Sequence, residues 1–230
     1  KAGSIRDVEG KRGLANITVK MLIKGTRKYT WQQIAEELES LGAHIWTWCS
    51  CDFCGVGLRC LPKHFDRCLS ILSDVLTQPS FPKEEFVKCK SRIVTELRTW
   101  DDNPWVVAKK VLLRLLYPET HPYRYFPEGE VEDIEGLNVD ELREFHSRWY
   151  LPHMATFAIV GDISCDEVFS SVERHFSGWD VGDKPVDDEK VEDPQPQPPR
   201  FEVRTISDRS QAVVMLGQLC ISRSNPDYYA

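Results

Sequence analysis

Eight cysteines stand at positions 49, 51, 54, 60, 68, 89, 165 and 220, and the first three form a Cys-x-Cys-x-x-Cys run. Thiolates ligate zinc and iron–sulfur clusters well, so this run is the first place to look for metal chemistry. Its spacing matches no standard zinc ribbon, and Cys49 and Cys51 share one face of a strand, which favours neutral, packed thiols. A Cys51–Cys54 bridge across the turn would require oxidation. No reactive nucleophile is indicated. The six histidines, at 44, 64, 121, 146, 153 and 175, include no pair at i and i+4, so none is set to converge on a metal from one helical face. His121, before Pro122, reads as a satisfied loop residue, and His146, near Arg148, as a surface residue. Trp46 and Trp48 lie on one strand face, as core, subunit-contact or recognition aromatics do.

The elements that must position these groups follow from local chemistry. Leu14, Ile17, Met21 and Leu22 recur at near-helical spacing, and Gly25 is placed to end that helix. Thr30 and Gln33 form a capping box for a helix with Trp31, Ile34, Ala35, Leu38 and Leu41 inward, stopped by Gly42. Residues 43–61 predict two antiparallel strands around a turn at Cys51-Asp52-Phe53-Cys54. Helices follow over residues 62–78, from Pro82 to about Trp100, and from Asn103-Pro104 to Leu116. Residues 117–137 read as a long irregular connection. Asn138 with Glu141 opens a helix ending near Tyr150, Ala155–Val160 is an apolar strand, and Ser164 with Glu167 caps a helix to Phe176. Residues 201–206 and 212–217 are predicted strands, and a helix begins at Asn225-Pro226. The class expected is α+β, two-layer, with helices packed on one face of a mixed, largely antiparallel sheet.

The chain of 230 residues is 41% hydrophobic, enough for a sizeable core. Its net charge is -7, but residues 180–193 alone hold seven acids and two lysines, so the rest is near neutral. With no basic stripe, neither nucleic acid nor an anionic membrane is an expected partner. No run of 18 apolar residues predicts a membrane span. A chain of this size does not need disulfides, so its cysteines suggest a reducing, cytoplasmic compartment. Three segments are expected: 1–182 as a first unit incomplete at its start, 183–200 as an acidic, proline-rich linker, and 201–230 as the start of a second, homologous unit.

The stretch Gly13 to Thr26, read as Gly-Leu-Ala-Asn-Ile-Thr-Val-Lys-Met-Leu-Ile-Lys-Gly-Thr, resembles the zinc helix of the insulinase/pitrilysin-like metallopeptidases. That family's inverted motif is His-x-x-Glu-His. The resemblance continues through Leu41-Gly42, Phe81-Pro82, Glu96-Leu97, Asp102-Asn103-Pro104, His121-Pro122-Tyr123, Tyr150-Leu151-Pro152 and Val160-Gly161-Asp162, in the family's order. In active members two imidazoles bind zinc and the glutamate between them activates water. Here Asn16, Val19 and Lys20 stand at those three places, and Glu96 at the third ligand's.

Amide, hydrocarbon and ammonium cannot serve those roles, so the resemblance implies a degenerate member with no metal and no cofactor, zinc being confined to active relatives. By the same resemblance, Trp46, Thr47 and Trp48 lie on the strand that receives unfolded peptide in active members. The expected function is a non-catalytic homologue that pairs with an active homologous subunit or a second half-domain and helps enclose unfolded peptide. A zinc-dependent metalloendopeptidase with a non-standard site and a purely structural subunit are the alternatives. Lys20 is expected to replace the metal's charge beside Glu96, with Asn16 adding a hydrogen bond.

Overall fold

The computed structural model describes residues 1–179, 191–195, 198–206, 210–223 and 225–229. Its first helix, α1 (Leu14–Leu22), is buried at every position except Lys20. A helix apolar nearly all round belongs inside a core, and each such fully buried side chain stabilises by about 1.5–3 kcal/mol. Around it lie α2 (Trp31–Ser40), β1 (His44–Cys49), β2 (Cys54–Arg59), α3 (Phe65–Thr77) and α4 (Lys83–Thr99). Then follow α5 (Pro104–Leu116), α6 (Val131–Gly136), α7 (Val139–Trp149) and α8 (Cys165–Phe176). Helix α1 packs against α4, α7 and both strands, so the core is built on the Gly13–Thr26 stretch.

The caps form as the local sequence dictates. Thr30 accepts the Gln33 N–H while Gln33 accepts the Thr30 N–H, and Asn138 and Glu141 make the same reciprocal pair. Asn103 Oδ1 accepts the Trp105 N–H, and Ser164 Oγ accepts the Glu167 N–H. Trp31, expected to face inward, is instead exposed at the first position of α2, with its ring 5.6 Å from the Lys24 ammonium group. The connection over 117–137 is not irregular throughout. It holds a 3-10 turn at Pro122–Arg124 and all of α6, a helix of under two turns with too few residues to show a period.

The protein is α+β, but the sheet among the described residues has two strands only, β1 and β2, antiparallel with His44 opposite Arg59 and Cys49 opposite Cys54. The predicted strand Ala155–Val160 forms no ladder, because a strand is defined by a hydrogen-bonded neighbour and none lies beside it. Residues 201–206 and 212–217 likewise pair with nothing described, and Val214 and Leu216 are exposed. Much of the expected linker, including 183–190, lies outside the described residues. Among the described residues no helix is long and apolar enough to cross a membrane.

Candidate functional site

The N-terminal end of α1 is held by a carboxylate from the preceding loop. Gly13, in the left-handed region at φ 92°, supplies no side chain to cap the helix, and Asp7 does so instead. Its two oxygens accept the Gly13 N–H at 2.7 Å and the Ala15 N–H at 2.8 Å. Burial pushes the Asp7 carboxyl up to about 7, outweighing the two backbone N–H groups, which favour the charged form. Glycine at 13 is also required by space, since a Cβ would meet the Ile134 side chain and the Glu128 carbonyl.

Along α1, the positions expected to hold a vestigial zinc site are placed in ways that do not suit a metal. Val19 is 0% exposed and part of the hydrocarbon core. Asn16 is 3% exposed, and its Nδ2 has no hydrogen-bond partner among the described residues. Lys20 is half-buried, and its charge offsets part of the upward push that burial gives the Cys89 thiol on α4. Two imidazoles and a carboxylate are what zinc would require here, and an amide, an isopropyl group and an ammonium group do not fit it. Among the described residues no three His, Cys, Asp or Glu side chains are grouped so as to hold a metal ion.

Glu96 corrects the expected Lys20–Glu96 pair. It is exposed, because Ile93, Val94 and Leu97 take the inner face of α4, and no ion pair joins it to Lys20. A carboxylate in water needs no buried cation, so the premise for that pair is removed. Asn16 supplies no hydrogen bond to it either.

Two further placements refine the sequence reading. His121 is buried as a satisfied loop residue: its Nδ1 accepts the Tyr123 N–H at 3.1 Å, and its ring stacks on Tyr117 at 4.8 Å. His146 is not a surface residue. Its Nε2 lies 2.8 Å from the Leu76 carbonyl oxygen, its ring stacks on Tyr150 at 4.8 Å, and burial pulls its pKa down. Neither the Asp7 cap nor the His146 contact was visible in the sequence, because both join residues to partners that spacing alone does not identify.

On the hairpin, Trp46 and Trp48 point outward at 43% and 47% exposure, while Thr47 between them is half-buried. Their indoles lie across Gly57 and Gly55 of β2, where any Cβ would overlap the rings. The glycines are therefore the seats of the tryptophans. His44 extends the row, stacked on Trp46 at 5.8 Å. This aromatic face forms one wall of a groove of about 700 Å³, closed by Leu69 and Leu72 of α3 and by Phe157 and Ile159 of the extended segment. A second cavity of about 740 Å³ lies on the other side of the hairpin tip, lined by Trp100, Trp105, Tyr117 and Tyr123 with Lys109 at its edge.

Comparison with known proteins bears on this arrangement. Residues 1–122 match the family Insulinase (Peptidase family M16), and residues 136–230 match the Peptidase M16 inactive domain. An uncharacterized zinc protease of Rickettsia bellii is 27% identical over 184 residues, covering 80% of this chain and 44% of that protein. The peptidase M16 inactive domain from Pseudomonas fluorescens superposes with a TM-score of 0.76 at 26% identity, over 85% of this chain and 47% of that one. The periplasmic protease PqqL from Escherichia coli shares the fold with a TM-score of 0.73 at 23% identity, over 85% of this chain and 22% of PqqL. The chain thus spans less than half the length of these relatives. The expectation of a cytoplasmic protein is overturned by the periplasmic setting of PqqL, and a cysteine count does not select the compartment.

Proposed function

Because the chain belongs to the insulinase family of M16 peptidases, we propose that it is a non-catalytic member that pairs with an active homologue, or with a second half-domain, and helps enclose unfolded peptide. The observation that carries this reading is Val19, a fully buried hydrocarbon at the place where the resemblance puts the water-activating glutamate. Asn16 and Lys20 on either side of it support the same conclusion, and Glu96 is left as an exposed carboxylate.

What the residues of this chain contribute is a surface. One edge of β1 has no partner strand among the described residues, and an extended peptide can add to such an edge through main-chain hydrogen bonds. Trp46 and Trp48 then give alternate side-chain contacts, with Thr47 turned the other way. A partner that supplies further strands would complete the two-layer arrangement, with Ala155–Val160 joining a larger sheet. In this reading residues 1–182 are the first unit, 183–200 the linker and 201–230 the opening of the next.

The deciding experiment is metal analysis with a peptide-cleavage assay on the full-length protein, alone and mixed with an active homologue. The expected result is no bound zinc and no chelator-sensitive cleavage by the protein alone. Stoichiometric zinc with chelator-sensitive cleavage would establish the alternative, a zinc-dependent metalloendopeptidase with a non-standard site. Partner binding without any peptide retention would point to a purely structural subunit.

A further inference from the structure

At the last pair of the hairpin ladder, Cys49 and Cys54 face each other with their sulfurs 3.1 Å apart. The Ser50 N–H donates to the Phe53 carbonyl at 2.8 Å, so the next pair inward, Cys49 and Cys54, is a non-hydrogen-bonded one. In such pairs the Cα atoms are about 4.5 Å apart and the side chains approach most closely, within the ~4.4–6.8 Å span that a disulfide bridges. We propose that Cys49 and Cys54 are a disulfide-forming pair, a covalent modification site that locks the hairpin tip beneath α1.

The surroundings favour this pair over its sequence neighbours. Cys54 Sγ also lies 3.7 Å from the Ala15 carbonyl of α1, which fixes it under the helix. Cys51, the other thiol at the turn, lies beyond the last ladder pair, whereas Cys49 stands directly opposite Cys54. Cys54 lines the groove and Cys49 lines the second cavity, so the pair forms part of the wall between two openings and an oxidant can enter from either. Both are free thiols in this structure. The neighbouring Cys54 sulfur and burial push the Cys49 thiol far above its ordinary range, which leaves the reduced form without thiolate stabilisation. A dithiol of that kind makes a stable disulfide, unlike the low-pKa pairs that act as oxidants.

The oxidant required is a low-molecular-weight disulfide. One protein thiol loses its proton and attacks a sulfur of that disulfide, releasing one small thiol and leaving a mixed disulfide. The second protein thiolate then attacks the protein sulfur of the mixed disulfide, forming the Sγ–Sγ bond and releasing the second small thiol. Two electrons pass from the cysteines to the small disulfide, and two small thiols leave.

The test uses the full chain, reduced, freed of reductant and incubated with oxidised glutathione, then quenched in acid, alkylated and digested with chymotrypsin. Cleavage after Trp48 and Phe53 separates the two cysteines onto different peptides. The expected product is a linked pair two hydrogens lighter than the sum, lost on reduction, undiminished in Cys51→Ser and absent in Cys54→Ser. Because Cys49 and Cys51 stay on one peptide, Cys49→Ser supplies the comparison, and its link to Cys54 should fall to about a tenth or less of that in Cys51→Ser. Loss of the link in Cys51→Ser would overturn the proposal, as would glutathione adducts or alkylated thiols at both positions with no link. Should Cys54→Ser fail to fold, the comparison of Cys51→Ser with the parent protein still decides.

Discussion

Asp7 Oδ1 accepts the backbone N–H of Ala15 at 2.8 Å, so a side chain outside α1 does the work of the missing cap at Gly13. Removing it in Asp7→Ala leaves two buried donors unpaired, at about 1–3 kcal/mol each. Asp7→Asn keeps one acceptor and should cost less than half as much. Because the folded carboxyl is raised to about 7 from 3.8, the folded state holds its proton more tightly than the unfolded chain. Its contribution to stability is therefore complete below about pH 4 and is lost as pH rises towards 7. Urea titrations across this range should show that decline in the parent protein and a flatter profile in Asp7→Asn; identical profiles would count against the raised carboxyl.

Val19→Glu supplies the residue type that the resemblance places at this position, and it should not confer activity. A carboxylate placed at a fully buried position among hydrocarbons costs several kcal/mol, or takes up a proton. The expected outcome is a lower denaturation midpoint that added zinc does not raise. A zinc-dependent rise in midpoint would show that the helix retains a metal-binding geometry.

How much of this was legible in the sequence depended on the range of each interaction. The capping boxes at Thr30–Gln33 and Asn138–Glu141 are three-residue signals, and both formed as written. The apolar run Ala155–Val160 reads as a strand, but whether it pairs depends on chain far away, and among the described residues it pairs with none. The turn at Cys51-Asp52 was visible, whereas the pairing of Cys54 with Cys49 rather than Cys51 depends on register. At the candidate site, the amide, hydrocarbon and ammonium groups of Asn16, Val19 and Lys20 could be read directly from the sequence. The exposure of Glu96 could not, because it sits at the margin of α4's apolar arc and only packing decides which way the helix is turned.

Trp46 and Gly57 form a unit across the hairpin, with the indole occupying the space where a side chain on β2 would stand. Gly57→Ala should displace the ring and destabilise by about 1–3 kcal/mol, the range for an added methyl group in filled space. In a Trp46→Ala background the same change should cost little. The double-mutant cycle measures that coupling directly. Tryptophan fluorescence should shift in Gly57→Ala, and strictly additive effects would show that the indole does not rest on the glycine.

His146 ties α7 to the C-terminal end of α3, whose last carbonyls have no partner within the helix. Its Nε2–H donates to the Leu76 carbonyl oxygen at 2.8 Å while the ring is enclosed by Tyr150 and Phe81. A protonated imidazole would suit a helix C-terminus, but burial outweighs that gain and lowers the pKa. The unfolded chain therefore binds the proton more readily than the folded one. Stability from this residue is complete above the ordinary value of 6.5 and is lost as pH falls below it, the opposite direction to Asp7. His146→Ala should cost about 1–3 kcal/mol by leaving a part-buried carbonyl unpaired, and His146→Gln, which keeps a donor, should cost less. Both variants should lose the acid-side decline between pH 6.5 and the folded pKa. An NMR titration of the His146 ring giving a pKa at or above 6.5 in the folded protein would show that the charged form is the one the fold prefers.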